Sequence, residues 1–209
     1  MIVIGLTGSI GMGKSVTAAM LETLKIPVHE ADDEVHKLLG PRGKARVAVG
    51  AAFPYFHYRQ IYGKKGKDGV RVINRKELGK IVFYDDAERK RLEAILHPLV
   101  RQAQTEFIRK QKNMGTKIVA LDIPLLFETG GEDLVDYTFV VTAPPGIQKA
   151  RVLARPGMDE EKFEAILSRQ MPDGEKCARA DYIIHTGLGR AQAMKDVKSA
   201  LADIRKKQK

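Results

Sequence analysis

At 209 residues, 44% hydrophobic and without tryptophan, the chain has the size and composition of an ordinary globular protein, with one well-buried core and smaller appended parts. No apolar run reaches the roughly 18–20 residues needed to span a bilayer, the single cysteine, Cys177, rules out an internal disulfide, and the five histidines fall into no zinc-ligand spacing. The formal charge of +10 favours anionic partners, but the basic residues are spread along the chain and no aromatic-rich basic motif accompanies them, so nucleic acid is not the expected partner.

In chain order, Ile2–Leu6 reads as a buried strand: short, continuous, β-branched and followed closely by glycine. Val16, Ala19, Met20 and Leu24 then recur at helical spacing. Ile26–His29 is a second strand, and Val35, Leu38 and Leu39 suggest a short helix stopped by Gly40-Pro41. Residues 42–115 break this alternation and are mostly helical in pattern, with a glycine-rich basic turn at Tyr62–Gly69. Asn74 and Asp86 are candidate N-caps for helices carrying Leu78, Ile81 and Val82, and Leu92, Ile95 and Leu96.

The core pattern resumes with Lys117–Asp122, an apolar run ending in a carboxylate, and with a strand at Tyr137–Val141. Residues 146–172 are helical and arginine-rich around a turn at Pro156-Gly157. Tyr182–Ile184 reads as a last strand, and Met194, Val197, Leu201 and Ile204 mark the inner stripe of a C-terminal helix. Strands alternating with helices predict an α/β fold, a parallel sheet covered on both faces. The clusters Lys64-Lys65-Gly66-Lys67 and Arg205–Lys209 read as a solvated loop and tail. Met1–Gly5 lacks the basic region of a secretory signal, so an unprocessed, cytoplasmic chain is expected.

Gly8-Ser9-Ile10-Gly11-Met12-Gly13-Lys14-Ser15 matches G-x-x-x-x-G-K-[ST], directly after a predicted strand and opening a predicted helix. Glycines let successive N–H groups turn inward around a polyphosphate, and the helix adds its unpaired N–H groups and positive dipole end. Lys14 is then placed to reach the β- and γ-phosphates and the Ser15 hydroxyl to ligate Mg²⁺. No N-K-x-D tetrapeptide occurs, which argues against a GTPase and leaves a small ATP-dependent phosphotransferase.

Glu30-Ala31-Asp32-Asp33 follows the second strand, and in doubly wound sheets the carboxyl ends of the strands line the ligand crevice. One of these carboxylates suits the task of accepting a hydroxyl proton; a first-turn or capping acid of the next helix is the alternative that spacing leaves open. Asp122 is either a metal-organising acid or an exposed strand-end carboxylate. Arg151, Arg155 and Arg169 could close over a nucleotide from a mobile hairpin or line a solvated helix face.

Taken together these segments resemble the dephospho-CoA kinase family. The likeness rests on Gly5–Ser15, Glu30-Ala31-Asp32, His97-Pro98-Leu99-Val100, Asp122-Ile123-Pro124-Leu125-Leu126-Phe127-Glu128, Gln148 with Arg151 and Arg155, Arg169-Gln170 and Ala180-Asp181, running in order from about residue 2 to about 190. It implies a P-loop core (about 1–32, 116–145 and 173–209), a helical CoA-binding region (about 33–115) and a lid (about 146–172). It implies transfer of the ATP γ-phosphate, with Mg²⁺, to the ribose 3′-hydroxyl of dephospho-CoA. On this resemblance Asp32 becomes the catalytic base, acting with Lys14 and Arg151. ATP would be held by Gly8, Gly11, Met12, Gly13, Lys14, Ser15, Val16 and Arg155, the acceptor by Asp32, His97 and Leu125, and the metal by Ser15 and Asp122. Three positions depart from the family pattern: Glu30 for a usual Asp, Val16 for a common Thr, and His185-Thr186-Gly187 for an N-x-G. A kinase of another metabolite and a basic protein that uses ATP as a switch are the rival readings. Nothing in the sequence sets an oligomeric state.

Overall fold

All six residues of the first strand, β1 (Ile2–Thr7), are buried, so both faces of the sheet must be covered by the rest of the chain. The computed structural model describes residues 1–66 and 68–207; Lys67, Gln208 and Lys209, members of the two basic clusters, lie outside the described residues. After β1 come α1 (Lys14–Thr23), β2 (Val28–Glu30), α2 (Ala31–Leu38) and α3 (Arg46–Ala52). The short strands β3 (Tyr62–Lys65) and β4 (Arg71–Ile73) precede α4 (Arg75–Tyr84) and α5 (Asp86–Asn113). The order ends with β5 (Ile118–Asp122), β6 (Tyr137–Thr142), α6 (Pro145–Leu153), α7 (Glu160–Leu167), α8 (Asp173–Ala178), β7 (Tyr182–His185) and α9 (Arg190–Lys206). The chain divides into two compact units, one of Met1–Glu30 with the residues from Ile108 onward, the other of Ala31–Phe107.

The first unit is built on a five-stranded parallel sheet of order β2-β5-β1-β6-β7, the α/β architecture the alternation predicts. Its register sets Leu6 of β1 beside Asp122 of β5, and Glu30 of β2 on the other side of Asp122. On one face Ile2, Ile4, Leu6, Phe139 and Val141 pack with Met20 and Leu21 of α1 and with Val197, Leu201 and Ile204 of α9. The predicted stripe of α9 is therefore present, completed by Ala193 and Ala200, with Met194 only partly buried.

In α1 the sequence pattern and the structure differ. Val16 and Ala19 are exposed, while Thr17, Ala18, Met20 and Leu21 are buried. Val16, Met20 and Leu24 do align along the helix, but α1 starts at Lys14 from a tight loop, and that start rotates the adjacent line, Thr17 and Leu21, onto the sheet. The second strand is also displaced, to Val28–Glu30.

In the second unit α2 stops at Leu38, just before Gly40-Pro41, as predicted. Asn74 caps α4 by accepting the Glu77 N–H at 3.4 Å. The cap of α5 is Asp85 rather than Asp86: its Oδ1 accepts from the N–H groups of Ala87 (2.9 Å) and Glu88 (3.1 Å), while Asp86 pairs with Arg89 at 2.9 Å. The stretch expected to be a basic turn is an antiparallel hairpin, β3 with β4. Buried Arg46 ties it down, donating to Asp68 (2.7 Å) and to the Val70 carbonyl (2.5 Å). That guanidinium, with a hydrogen bond from the Val70 N–H, holds Asp68 below the usual carboxylate range. Phe53, Ile61, Leu78, Leu92 and Leu96 belong to this unit's own apolar core. Among the described residues no helix is long and apolar enough to cross a membrane.

Phe139 is fully buried at the centre of the sheet. Its truncation in Phe139→Ala should lower unfolding stability by about 3–5 kcal/mol; urea titration of both proteins gives the difference.

Candidate active site

The loop Gly8–Gly13 leaves the carboxyl end of β1 and runs into α1. Met12 N–H donates to the Ser9 carbonyl at 3.1 Å, and the helix begins with Val16 and Thr17 donating to the Gly13 carbonyl at 3.1 and 3.2 Å. The N–H groups at the very start of α1 therefore have no intrahelical acceptor and are available to an anion. Gly11 (φ 79°) and Gly13 (φ 96°) take left-handed backbone conformations. A Cβ on Gly11 would also stand 2.6 Å from Cγ2 of Val152 and 2.9 Å from the Gln148 carbonyl. The motif requires glycine there for both reasons.

Lys14 opens α1, and its ammonium contacts Oδ1 of Asp122, whose side chain is only 2% exposed. The exposed strand-end reading of Asp122 is thereby overturned: the carboxylate is buried and balanced by the motif lysine. Ser15 and Val16 lie exposed on the first turn of the same helix. Among the described residues no group of three or more His, Cys, Asp or Glu side chains gathers as a metal cage. A serine hydroxyl and one carboxylate nonetheless suit Mg²⁺, which takes its remaining ligands from phosphate oxygens and water.

Side chains from later in the chain brace the loop. The Ile10 carbonyl accepts from Nε2 of Gln148 on α6 (2.8 Å), and the Ile10 N–H donates to Oε1 of Gln170, just after α7 (3.0 Å). Thr186 donates its hydroxyl to the Met12 carbonyl at 2.5 Å. Arg151 donates to that hydroxyl (3.0 Å), to the Thr186 carbonyl (2.9 Å) and, more weakly, to the Gly11 carbonyl (3.4 Å). Arg151 thus lies against the loop, neither on a solvated face nor at the tip of the hairpin. Arg155 and Arg169 are exposed, Arg155 at the turn that follows α6. Leu125 is half-buried in the turn after β5, where Thr7 donates its hydroxyl to the Pro124 carbonyl at 3.0 Å.

Two candidate residues belong to the other unit. Asp32 is exposed in the first turn of α2, two positions after the end of β2. His97 is exposed on α5, immediately before the internal Pro98. The roles of Gln148, Gln170 and Thr186 as braces were not legible in the sequence, because the partner in each case is a main-chain group of the loop. The one thiol, Cys177, is pushed up in pKa by burial and by neighbouring Asp173, which favours the thiol over the reactive thiolate.

A family model for dephospho-CoA kinase (CoaE) matches residues 2–191. A dephospho-CoA kinase from Mesorhizobium japonicum is 49% identical over 205 residues, covering 98% of both chains. Among solved structures, dephospho-CoA kinase from Campylobacter jejuni has a TM-score of 0.71 at 28% identity, covering 99% of this chain and 98% of its own. A Thermus thermophilus crystal structure reaches 0.77 at 32% identity, with 97% of each chain covered.

Gly11→Ala places a methyl group on a left-handed backbone against Val152 and the Gln148 carbonyl. The strain should weaken ATP binding about tenfold or more, which isothermal calorimetry with the nucleotide measures directly.

Proposed function

The chain belongs to the dephospho-CoA kinase family, and on that footing we propose how its residues divide the work. It is a phosphotransferase that phosphorylates dephospho-CoA at the expense of ATP, giving CoA and ADP. The observation that carries the assignment of roles is the glycine loop whose lysine is paired with Asp122 at the carboxyl ends of β1 and β5.

The N–H groups of Gly11, Gly13, Lys14 and Ser15 cradle the phosphate chain, with Met12 completing the turn through its own bond to the Ser9 carbonyl, Lys14 on the β- and γ-phosphates and Gly8 at the loop's entry. Val16 flanks the same cradle without the hydroxyl a Thr would offer. Ser15 and Asp122 are the residues that would hold Mg²⁺, which when bound would neutralise phosphate charge. Phosphoryl transfer asks mainly for positioning and charge neutralisation. Arg151 meets this by fixing the loop through Thr186 and adding positive charge beside it. Arg155, exposed after α6, reaches the nucleotide when the lid (146–172) engages.

Asp32 accepts the proton of the ribose 3′-hydroxyl as that oxygen attacks the γ-phosphorus. His97, Leu125 and the helical region 33–115 take the acceptor. The partners are small molecules, and the cytoplasm is the proposed compartment.

ADP release in the presence of dephospho-CoA tests this reading; no turnover above background would overturn it. In Asp32→Asn, ATP affinity should stay within about twofold while kcat falls by about 10²–10⁴, as a coupled ADP assay run beside calorimetry would record.

A further inference from the structure

One buried charge in the first unit has no part in the chemistry described above. Lys176 of α8 is fully buried, and its ammonium lies 2.8 Å from Oε1 of Glu128 and 3.5 Å from the Pro124 carbonyl. The same Glu128 oxygen accepts the N–H of Met171 at 2.8 Å. The other oxygen, Oε2, is buried with no hydrogen-bond partner. A buried ion pair of this kind is a poor source of stability, since desolvation consumes most of what the attraction returns. An unsatisfied carboxylate oxygen adds to the cost. What the pair does supply is position.

Three segments meet at it. Pro124 and Glu128 bound the turn after β5 that carries Leu125, and Thr7 at the end of β1 also donates to the Pro124 carbonyl. Met171 directly follows Gln170, which holds the Ile10 N–H of the phosphate loop, so it marks the root of the α6–α7 hairpin. α8 is itself anchored to the sheet, because Thr142 at the end of β6 donates its hydroxyl to Asp173 at 2.6 Å. Lys176 therefore reaches Glu128 from a fixed base. We infer that Glu128 and Lys176 are positioning residues for phosphoryl transfer, setting the turn 123–128 and the hairpin root at Met171 in register with the phosphate loop.

This inference rests on the dephospho-CoA kinase reading, and wild-type turnover with dephospho-CoA tests that reading separately. Replacing either partner alone would leave a buried charge, so the informative variants are neutral pairs. Glu128→Leu with Lys176→Met removes both tethers while filling similar volume. Glu128→Gln with Lys176→Met keeps an amide oxygen to accept the Met171 N–H. The Leu–Met pair should lose about 10- to 100-fold in kcat while its calorimetric Kd for ATP stays within about threefold, and the Gln–Met pair should recover much of the loss. A folded Leu–Met protein with wild-type kcat would overturn the inference, as would losses in ATP affinity that match those in kcat. Should the Leu–Met protein not fold, hydrogen exchange on the wild type decides. The Met171 amide must be protected well beyond an exposed amide such as that of Gly157, and exchange as fast as its own would also overturn it.

Discussion

The parallel pairing of β1 with β5, in the register that sets Leu6 beside Asp122, is the constraint on which the rest of the molecule depends. It places the loop that leaves β1 and the carboxylate that ends β5 at the same edge of the sheet. With its side chain 2% exposed, Asp122 could not remain charged without a partner, and the lysine at the start of α1 supplies one. The pairing serves both groups: the buried carboxylate is balanced, and a flexible lysine is held in one place beside the loop. Ordering a long side chain in advance removes part of the entropy cost of binding. A slip of β5 by one residue would turn Asp122 to the other face of the sheet and undo both effects.

The same logic of ordering in advance extends to the loop itself. A glycine-rich loop is cheap to bend and costly to hold still, and here it is held by its carbonyls and by one N–H, which leaves the N–H groups nearest α1 for an anion. Gln148 and Gln170 grip the two sides of the Ile10 peptide, and Thr186 takes the Met12 carbonyl. Because Gln148 lies on α6 and Gln170 just beyond α7, the hairpin between them is pinned to the loop near both roots. Its outer part carries Arg155, Pro156 and Gly157, all exposed.

The sheet, the phosphate loop and the end of β5 were legible in the sequence because each is a local signal. A continuous apolar run, a glycine spacing and a terminal carboxylate all carry their meaning within a few residues. The misread parts depended on distant partners. Val16 and Ala19 fit a helical stripe on α1, but the sheet selects the neighbouring line. Asp86 and Asp85 are equally good capping residues by type, and in the structure it is Asp85 that accepts the first N–H groups of α5. The hairpin of β3 and β4 lies in a glycine-rich, basic stretch without alternating apolar residues, and it is secured by an arginine sixteen or more residues earlier in the chain. Likewise the pairing of Glu128 with Lys176, separated by 48 positions, leaves no mark in either local pattern.

The three departures from the family pattern differ in how far the structure absorbs them. Glu30 ends β2 exposed, beside Asp122 in register, so its extra methylene projects outward without disturbing the packed interior. Val16 is 40% exposed on the first turn of α1; its methyls gain little burial there, so a lost hydroxyl contact is not offset by packing. The segment after β7 is the most fully compensated. His185 presents both its N–H and its ring Nδ1 to one oxygen of Asp196, at 2.9 and 3.1 Å, which turns the imidazole toward α9. Burial acts to raise the Asp196 pKa, yet the bonds from His185 and Gln192 outweigh it and hold the carboxyl below its usual range. With His185 fixed in this way, Thr186 is fixed beside it, its N–H donating to the Thr142 carbonyl at 2.9 Å. Its hydroxyl and carbonyl then meet Met12 and Arg151 at the lengths observed. The substitution in the N-x-G position is thus tied through one threonine to the shape of the phosphate loop, and the two segments constrain each other.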